Sequence, residues 1–160
     1  MGELDLLVGK RILAVDDEPD ILEVIQEELP TCLVTTRRDF ASAKEVMEKE
    51  QFDLIILDIM GVRGFELLAL AQQRKMPVIM LTAHAITVES VNRSLKLGAV
   101  SFLPKDELAR LPEIIAEVFE SLSRGESHWP TLFKRLGPFF KERLGLVWED
   151  LEKLQHPPYY

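Results

Sequence analysis

Five polar side chains, each at the end of a short apolar run, could together form a chemical site. Asp16, Asp17 and Asp58 follow two runs of aliphatic residues, and Thr82 and Lys105 end two later runs. Crowded carboxylates repel one another, at ~4 kcal/mol for a pair ~4 Å apart at an effective dielectric of ~20. The set therefore predicts a site for a divalent cation, with the lysine and the hydroxyl left for an incoming anion.

These side chains need a scaffold that brings the ends of strands together. Nearly continuous apolar runs alternate with stretches whose apolar residues recur every three or four positions. The runs predict strands buried on both faces, and the stretches between them predict amphipathic helices. Repeated β–α units predict an α/β fold with a doubly wound parallel sheet, whose ligands bind outside the carboxyl ends of the strands. The predicted strands lie near residues 11–16, 32–36, 53–58, 77–82 and 100–104.

Length, charge and cysteine content limit the function classes. A chain of 160 residues with a net charge of −8 is one domain, with room for a small appendage, and lacks the basic surface that nucleic acid requires. The single cysteine, Cys32, fits a reducing compartment. No apolar run approaches the ~20 residues of a membrane span, and residues 1–5 do not begin a signal peptide. We therefore expect a soluble, cytoplasmic protein that binds neither nucleic acid nor membrane.

The alternation of strands and helices ends near Ser123, and an aromatic-rich segment follows. The predicted organisation is an N-terminal extension at 1–9, a main domain at 10–123, a linker at 124–127 and a helical extension at 128–160. Six large apolar residues of the extension should be buried, either against the main domain or across a homodimer. They are Trp129, Phe133, Leu136, Phe140, Trp148 and Leu151. His84 is interpreted as a loop residue, and His128 and His156 as surface residues.

Four segments of the chain, taken in order, resemble the response regulator receiver domains of two-component signalling. These segments are residues 10–19, 53–60, 77–84 and 98–105, and the resemblance extends over about residues 9–123. It implies a flavodoxin-like, five-stranded parallel sheet in the order 2-1-3-4-5, with the helical extension added after it. It also implies a phosphorylation-dependent response regulator of a phosphorelay, which catalyses at most its own phosphorylation and dephosphorylation. The implied partners are a sensor histidine kinase or phosphotransfer protein and a downstream protein.

The resemblance also implies roles for the residues of the site. Asp58 would be the phosphoacceptor, and Lys105 would hold an oxygen of the phosphoryl group. Asp17 would bind Mg²⁺ directly, Asp16 partly through water, and the backbone carbonyl of Met60 would be a further ligand. An oxygen-only ligand shell of this kind is the one that Mg²⁺ prefers.

Two further residues are implied to be a switch. Thr82 would hydrogen-bond the phosphoryl group and move toward it, and Phe102 would then move inward into the space that Thr82 vacates. The outer surface from the fourth to the fifth helix would be the output face of the domain.

The chain departs from the family pattern in three places. Gly64 follows Asp58 by six positions, where eight is usual, and the usual proline of that loop is absent. Lys105 is followed by Asp106 instead of a proline, so we expect a trans peptide bond there. Asp106 could also compete with phosphate for Lys105. Phe102 has no hydroxyl with which to secure an inward position.

Other interpretations of these residues stay open at this point. The acidic residues before Pro19 could merely cap a helix. A phosphatase of the haloacid dehalogenase type would need a second acid where Met60 stands, and a flavodoxin would need a Ser/Thr/Gly-rich phosphate loop that the chain lacks. A degenerate receiver could act as a phosphorylation-independent protein-binding module. For the extension, packing against the main domain competes with a docking or dimerisation surface.

Overall fold

Five parallel strands form a single sheet in the order β2-β1-β3-β4-β5, as predicted. The protein is described by a computed structural model that covers residues 2–83 and 87–144. The strands are β1 (Arg11–Val15), β2 (Leu33–Arg37), β3 (Leu54–Asp58), β4 (Val78–Thr82) and β5 (Ser101–Pro104). In the register of the sheet, Asp58 pairs with Leu81, and Thr82 pairs with Pro104. The carboxyl ends of these strands are therefore level with one another.

The helices lie between and after the strands, and their ends follow from local sequence. Pro19 stands in the first turn of α1, where the missing N–H is not needed, and Asp39 caps α2 by accepting a hydrogen bond from the backbone N–H of Ser42. Among residues 2–83 and 87–144, no helix has the length and apolar character needed to cross a membrane. The helices are α1 (Pro19–Glu28), α2 (Phe40–Lys49), α3 (Gly64–Gln73), α4 (Val88–Lys96), α5 (Leu111–Ser123), α6 (Trp129–Arg135) and α7 (Gly137–Leu144), with 3-10 helices at Glu3–Leu7 and Lys105–Arg110.

The two edge strands of the sheet differ in burial. β3, β4 and β5 are buried along their whole length, but β2 is only half-buried and its first residue, Leu33, is 61% exposed. The prediction that all five strands are buried on both faces is therefore wrong for β2. Among the described residues, β2 has a neighbouring strand only on the β1 side, whereas the other edge strand, β5, has α6 packed against it.

The helical extension packs against the same chain. Trp129 and Leu136 are each 2% exposed and Phe133 is fully buried, so the predicted burial is confirmed for these three residues. Since they are buried within a single chain, packing against the main domain accounts for them without a dimer. The side chain of Phe140 and the residues Trp148 and Leu151 lie outside the part that the structure describes.

His128 is not a surface residue, which corrects the interpretation made from the sequence. Its ring is 2% exposed, with Nδ1 2.9 Å from the hydroxyl oxygen of Ser101 and Nε2 3.2 Å from a carboxylate oxygen of Glu117. Burial lowers the pKa of His128, although the hydrogen bond to Glu117 acts in the opposite direction. If the ring is neutral, Nε2 donates a hydrogen bond to Glu117 and Nδ1 accepts one from Ser101. Both ring nitrogens of His128 then have a hydrogen-bond partner. His84 and His156 lie outside the described residues.

Candidate functional site

Three carboxylates meet at the carboxyl edge of the sheet, as the sequence predicts. Asp16 directly follows β1 and is fully buried, Asp58 ends β3 and is 4% exposed, and Asp17 is exposed. One carboxylate oxygen from each residue lies within 4.8 Å of the other two. The order of the strands, with β1 beside β3, brings Asp58 to Asp16 and Asp17, which lie 42 and 41 positions earlier in the chain.

Lys105 binds this cluster from the end of β5. Its Nζ lies 2.8 Å from Oδ2 of Asp16, 3.3 Å from Oδ1 of Asp58 and 3.3 Å from Oε2 of Glu18, and its side chain is only 10% exposed. A single buried ammonium group therefore contacts three carboxylates. The peptide bond between Lys105 and Asp106 is trans, as expected.

Glu18 is a site residue that the analysis of the sequence missed. It is the N-cap residue of α1, yet its side chain makes no capping hydrogen bond and contacts Lys105 instead. Its backbone N–H donates to Oδ1 of Asp16 over 2.9 Å, which fixes the orientation of that carboxylate. Three consecutive acidic residues after a buried strand were the available signal, but they were interpreted as two ligands and a helix start.

The site carries more buried negative charge than Lys105 can neutralise. Burial, together with the charge of Asp16, raises the pKa of Asp58 to about 7, although Lys105 acts in the opposite direction. Burial also raises the pKa of Asp16, despite its contact with Lys105. Burial alone would lower the pKa of Lys105, but the nearby Asp16 and Asp58 raise it. An additional cation would therefore bind favourably here.

The loop between β3 and α3 is short, and two glycines make it possible. Gly61 has a φ of +78°, and a Cβ atom added to it would lie 2.6 Å from Oδ2 of Asp17. A Cβ atom on Gly64, the first residue of α3, would lie 2.1 Å from the carbonyl oxygen of Asp58. The loop is two residues shorter than is usual in the family. Its two glycines, which have no side chain, allow its backbone to pack directly against Asp17 and Asp58.

The remaining predicted site residues lie at the end of β4, in the loop after β3 and in β5. Thr82 ends β4, is 6% exposed and donates a long, 3.4 Å hydrogen bond to the carbonyl of Ala83. It lines a cavity of about 210 Å³ together with Met60, whose side chain is 75% exposed. Phe102 is fully buried in β5, and its ring centroid lies 6.5 Å from that of Trp129 in α6.

Comparisons with known proteins agree with this architecture. The family model for the response regulator receiver domain matches residues 12–116, and the chain therefore belongs to this family. Over 114 residues it is 37% identical to the response regulator protein PilR of Pseudomonas aeruginosa, a match that covers 67% of this chain and 25% of PilR. The chain thus corresponds to about a quarter of that relative.

Solved structures show the same similarity. A CheY-like receiver domain protein from Methanospirillum hungatei is 28% identical, with a TM-score of 0.63, over 72% of this chain and 98% of that one. The Mn²⁺-bound form of the response regulator Rcp1 is 25% identical, with a TM-score of 0.58, over 65% of this chain and 89% of that one.

Proposed function

We propose that this chain is a phosphorylation-dependent response regulator that accepts a phosphoryl group on Asp58 from the histidine of a sensor kinase or phosphotransfer protein. The observation that carries the proposal is the contact of one buried carboxylate, Asp58, with Lys105 inside an acidic cluster. The net charge of −8 supports output through contacts with another protein rather than with DNA. Such a protein would act in the cytoplasm, and its only catalysis would concern its own phosphorylation state.

The proposed transfer step uses Asp58, Lys105 and Thr82. A carboxylate oxygen of Asp58 would attack phosphorus, the P–N bond would break with its electron pair returning to the imidazole, and an acyl phosphate would form. Lys105, 3.3 Å from Asp58, would bind an oxygen of the incoming group, and Thr82 at the end of β4 would bind another. Phosphoryl transfer depends mainly on positioning and charge neutralisation, and these residues supply both.

The acidic cluster suits Mg²⁺. Asp16, Asp17 and Asp58 offer carboxylate oxygens that lie within 4.8 Å of one another, and oxygen-only ligands are what Mg²⁺ prefers. The backbone carbonyl of Met60, which the resemblance to receiver domains implies, would be the fourth protein ligand. When bound, the cation would neutralise the carboxylates and keep Asp58 ionised at neutral pH. The similar response regulator Rcp1 has a Mn²⁺-bound form, which supports the binding of a divalent cation by this chain.

A second candidate function is a phosphorylation-independent protein-binding module. The observation that favours it is Glu18, which already occupies Lys105 together with Asp16 and Asp58. A lysine held by three carboxylates has less capacity to bind a phosphoryl oxygen. This candidate predicts the same fold and the same cluster, but no covalent modification.

Intact-mass measurement after incubation with Mg²⁺ and acetyl phosphate separates the two candidates. The wild type should gain one phosphoryl group, Asp58→Asn should gain none, and removal of Mg²⁺ with EDTA should abolish the gain. Asp20→Asn, a change to an exposed carboxylate of α1, is the matched control and should behave as the wild type does. An unmodified wild type would favour the binding module, and a modified Asp58→Asn would show that the acceptor lies elsewhere.

A further inference from the structure

Helix α6 is held on the face formed by α4, β5 and α5 by its first residues. Nε1 of Trp129 donates a 2.8 Å hydrogen bond to the carbonyl oxygen of Ala99, just before β5. The Trp129 ring lies 6.5 Å from Phe102 in β5 and 5.4 Å from Phe133 within α6. The buried aromatic side chain thus contacts the backbone and a side chain of the edge strand.

Polar contacts hold the same helix to α5 as well as to β5. The buried ring of His128 bridges the hydroxyl of Ser101 in β5 and the carboxylate of Glu117 in α5. Arg135, the last residue of α6, forms ion pairs with Glu117 and, at 3.1 Å, with Glu113. Both ends of α6 are therefore tied to the main domain.

The strand that holds α6 is also the strand that ends at the site. β5 has only four residues, Ser101–Pro104, and Lys105 follows it directly. A phosphoryl group on Asp58 would give Lys105 a new anionic partner in place of its present carboxylates. In the part of the chain that the structure describes, β5 is short and pairs only with β4, so a shift of Lys105 would also displace Ser101 and Phe102, on which α6 packs.

The packing at the start of α6 is incomplete. A cavity of about 300 Å³ lies between α4, α5 and the start of the extension, lined by Leu95, Val118, Leu122, His128 and Trp129. A helix beside a void gives up fewer contacts when it detaches than one in a close-packed core. The start of α6 is therefore less completely packed against the domain than a helix in a close-packed core.

We propose that α6 is an internal cap on the α4–β5–α5 face, docked when Asp58 is unmodified and released when it is phosphorylated. The inference rests on the proposed function, because release needs a modified Asp58. The contacts seen here fit the unmodified arrangement of β5, so a displaced β5 lowers the affinity of the face for α6. The uncovered face, with Phe102 at its centre, then becomes available to a second protein.

The release can be followed in the full chain with Trp148→Phe, which leaves Trp129 as the only tryptophan. Beryllium trifluoride with Mg²⁺ serves as a stable stand-in for the phosphoryl group. We expect the emission of the buried Trp129 to shift to longer wavelength and amide exchange over residues 126–136 to accelerate. Acetyl phosphate and intact-mass analysis on the same protein report modification independently.

The outcomes distinguish the two proposals. If the chain is phosphorylated and Trp129 emission and exchange over 126–136 stay unchanged, the cap is wrong and the proposed function stands. If the chain neither gains a phosphoryl group nor binds beryllium trifluoride, both the proposed function and the proposal that α6 is a releasable cap are wrong.

A reciprocal experiment tests the coupling without following Trp129. If modification releases α6, then weakening α6 must favour the modified state by the same factor. His128→Ala should therefore bind beryllium trifluoride about five-fold more tightly in a calorimetric titration. Arg135→Gln, which removes the ion pairs of Arg135 with Glu113 and Glu117, should shift the affinity in the same direction, and Lys134→Ala on the exposed side of α6 should not. Equal affinities in all of these variants would overturn the proposal.

Discussion

Asp58 is a buried carboxylate whose environment opposes its ionised form. Its side chain is almost fully enclosed, Asp16 stands close by with the same charge, and Lys105 offsets only part of this. An ionised carboxylate in this environment lowers the stability of the folded state. Clusters of groups with shifted pKa values are typical of functional sites. The same arrangement makes the folded state sensitive to pH.

Asp58→Asn should stabilise the protein increasingly as the pH rises in divalent-free buffer. Burial and the nearby Asp16 raise the pKa of Asp58 from 3.8 to about 7 in the folded chain. The contribution of Asp58 to the free energy of unfolding is therefore fully present below pH 3.8, and it is lost as the pH rises through 7. The gain in the free energy of unfolding over wild type should therefore grow between pH 4 and pH 8, by at most ~4 kcal/mol. Urea unfolding at several pH values measures it.

The control for this pH dependence is Asp20→Asn. Its carboxylate is exposed in α1, so its effect on the free energy of unfolding should stay small over the same range. If Asp58→Asn and the wild type differed in the free energy of unfolding by the same amount at every pH, ionisation of Asp58 would not be what destabilises the folded protein.

Sequence reasoning succeeded for residues whose position follows from strand ends and failed for residues defined by distant partners. Asp16, Asp58 and Lys105 were found because parallel strands end at one edge. Glu18 was missed because only the fold shows that its side chain contacts Lys105. His128 was misplaced because its partners, 27 and 11 positions away, are invisible in its local sequence.

At the scale of elements, the loop from β3 to α3 shows how two missing residues are accommodated. The sequence showed the shorter spacing but not its consequence, because the path of a loop depends on what it packs against. Gly61 cannot carry a side chain because the Asp17 carboxylate occupies the space of a Cβ atom. Gly64 cannot carry one because the carbonyl oxygen of Asp58 occupies that space. The loop therefore forms a close-fitting wall of the acidic cluster.

Gly61→Ala should weaken Mg²⁺ binding about ten-fold or more, since changes in residues that orient metal ligands have effects of this size. The added methyl group would lie 2.6 Å from Oδ2 of Asp17 and has to displace that carboxylate. Gly9→Ala is a matched control, because Gly9 has a similar φ of +74° and no atom within 4 Å of an added Cβ.

Both variants should lose similar stability, because a residue with a Cβ atom pays ~1–2 kcal/mol in this backbone region. Only Gly61→Ala should lose affinity in a calorimetric Mg²⁺ titration. Equal Mg²⁺ affinities in the two variants would contradict the role of Gly61 in leaving room for Asp17.

The edge strands show why burial could not be predicted from the apolar runs alone. Both edges were predicted as buried strands, yet Leu33 at the start of β2 is largely exposed while all of β5 is enclosed. Part of the difference lies in α6, which packs on β5 together with α4 and the 3-10 helix at Lys105–Arg110. Order and direction of the strands followed from sequence, but the packing of the extension on one edge did not.

At the scale of the whole molecule, the described part of the extension is part of one hydrophobic core. Trp129, Phe133 and Leu136 belong to the same cluster of buried residues as the sheet. Each buried side chain of this size is worth ~1.5–3 kcal/mol, so together they contribute several kcal/mol to the free energy of unfolding. The hydrophobic core of the main domain therefore includes residues that follow its last β–α unit in the sequence.

Truncation after Arg124 should lower the melting temperature by several degrees, because it uncovers Phe102 and Ser101. Truncation after Leu144, which keeps α6 and α7 and so leaves Phe102 and Ser101 covered, is the control. Calorimetry measures stability, and light scattering measures mass. An unchanged melting temperature after the first truncation would contradict the packing described here, and a change of mass in solution would indicate that the extension also mediates dimerisation.

The anchoring of α6 limits how this chain can be recombined with others. A chimaera joined after Ser123, where the β–α pattern stops, would inherit a β5 strand without its cover and a Glu117 without its histidine partner. Moving α6 and its N-cap residue alone onto another receiver would transfer Arg135 and His128 without the groups that they bind. Exchange of parts is therefore expected to succeed only when the junction lies beyond Leu136, so that sheet and cover are inherited together.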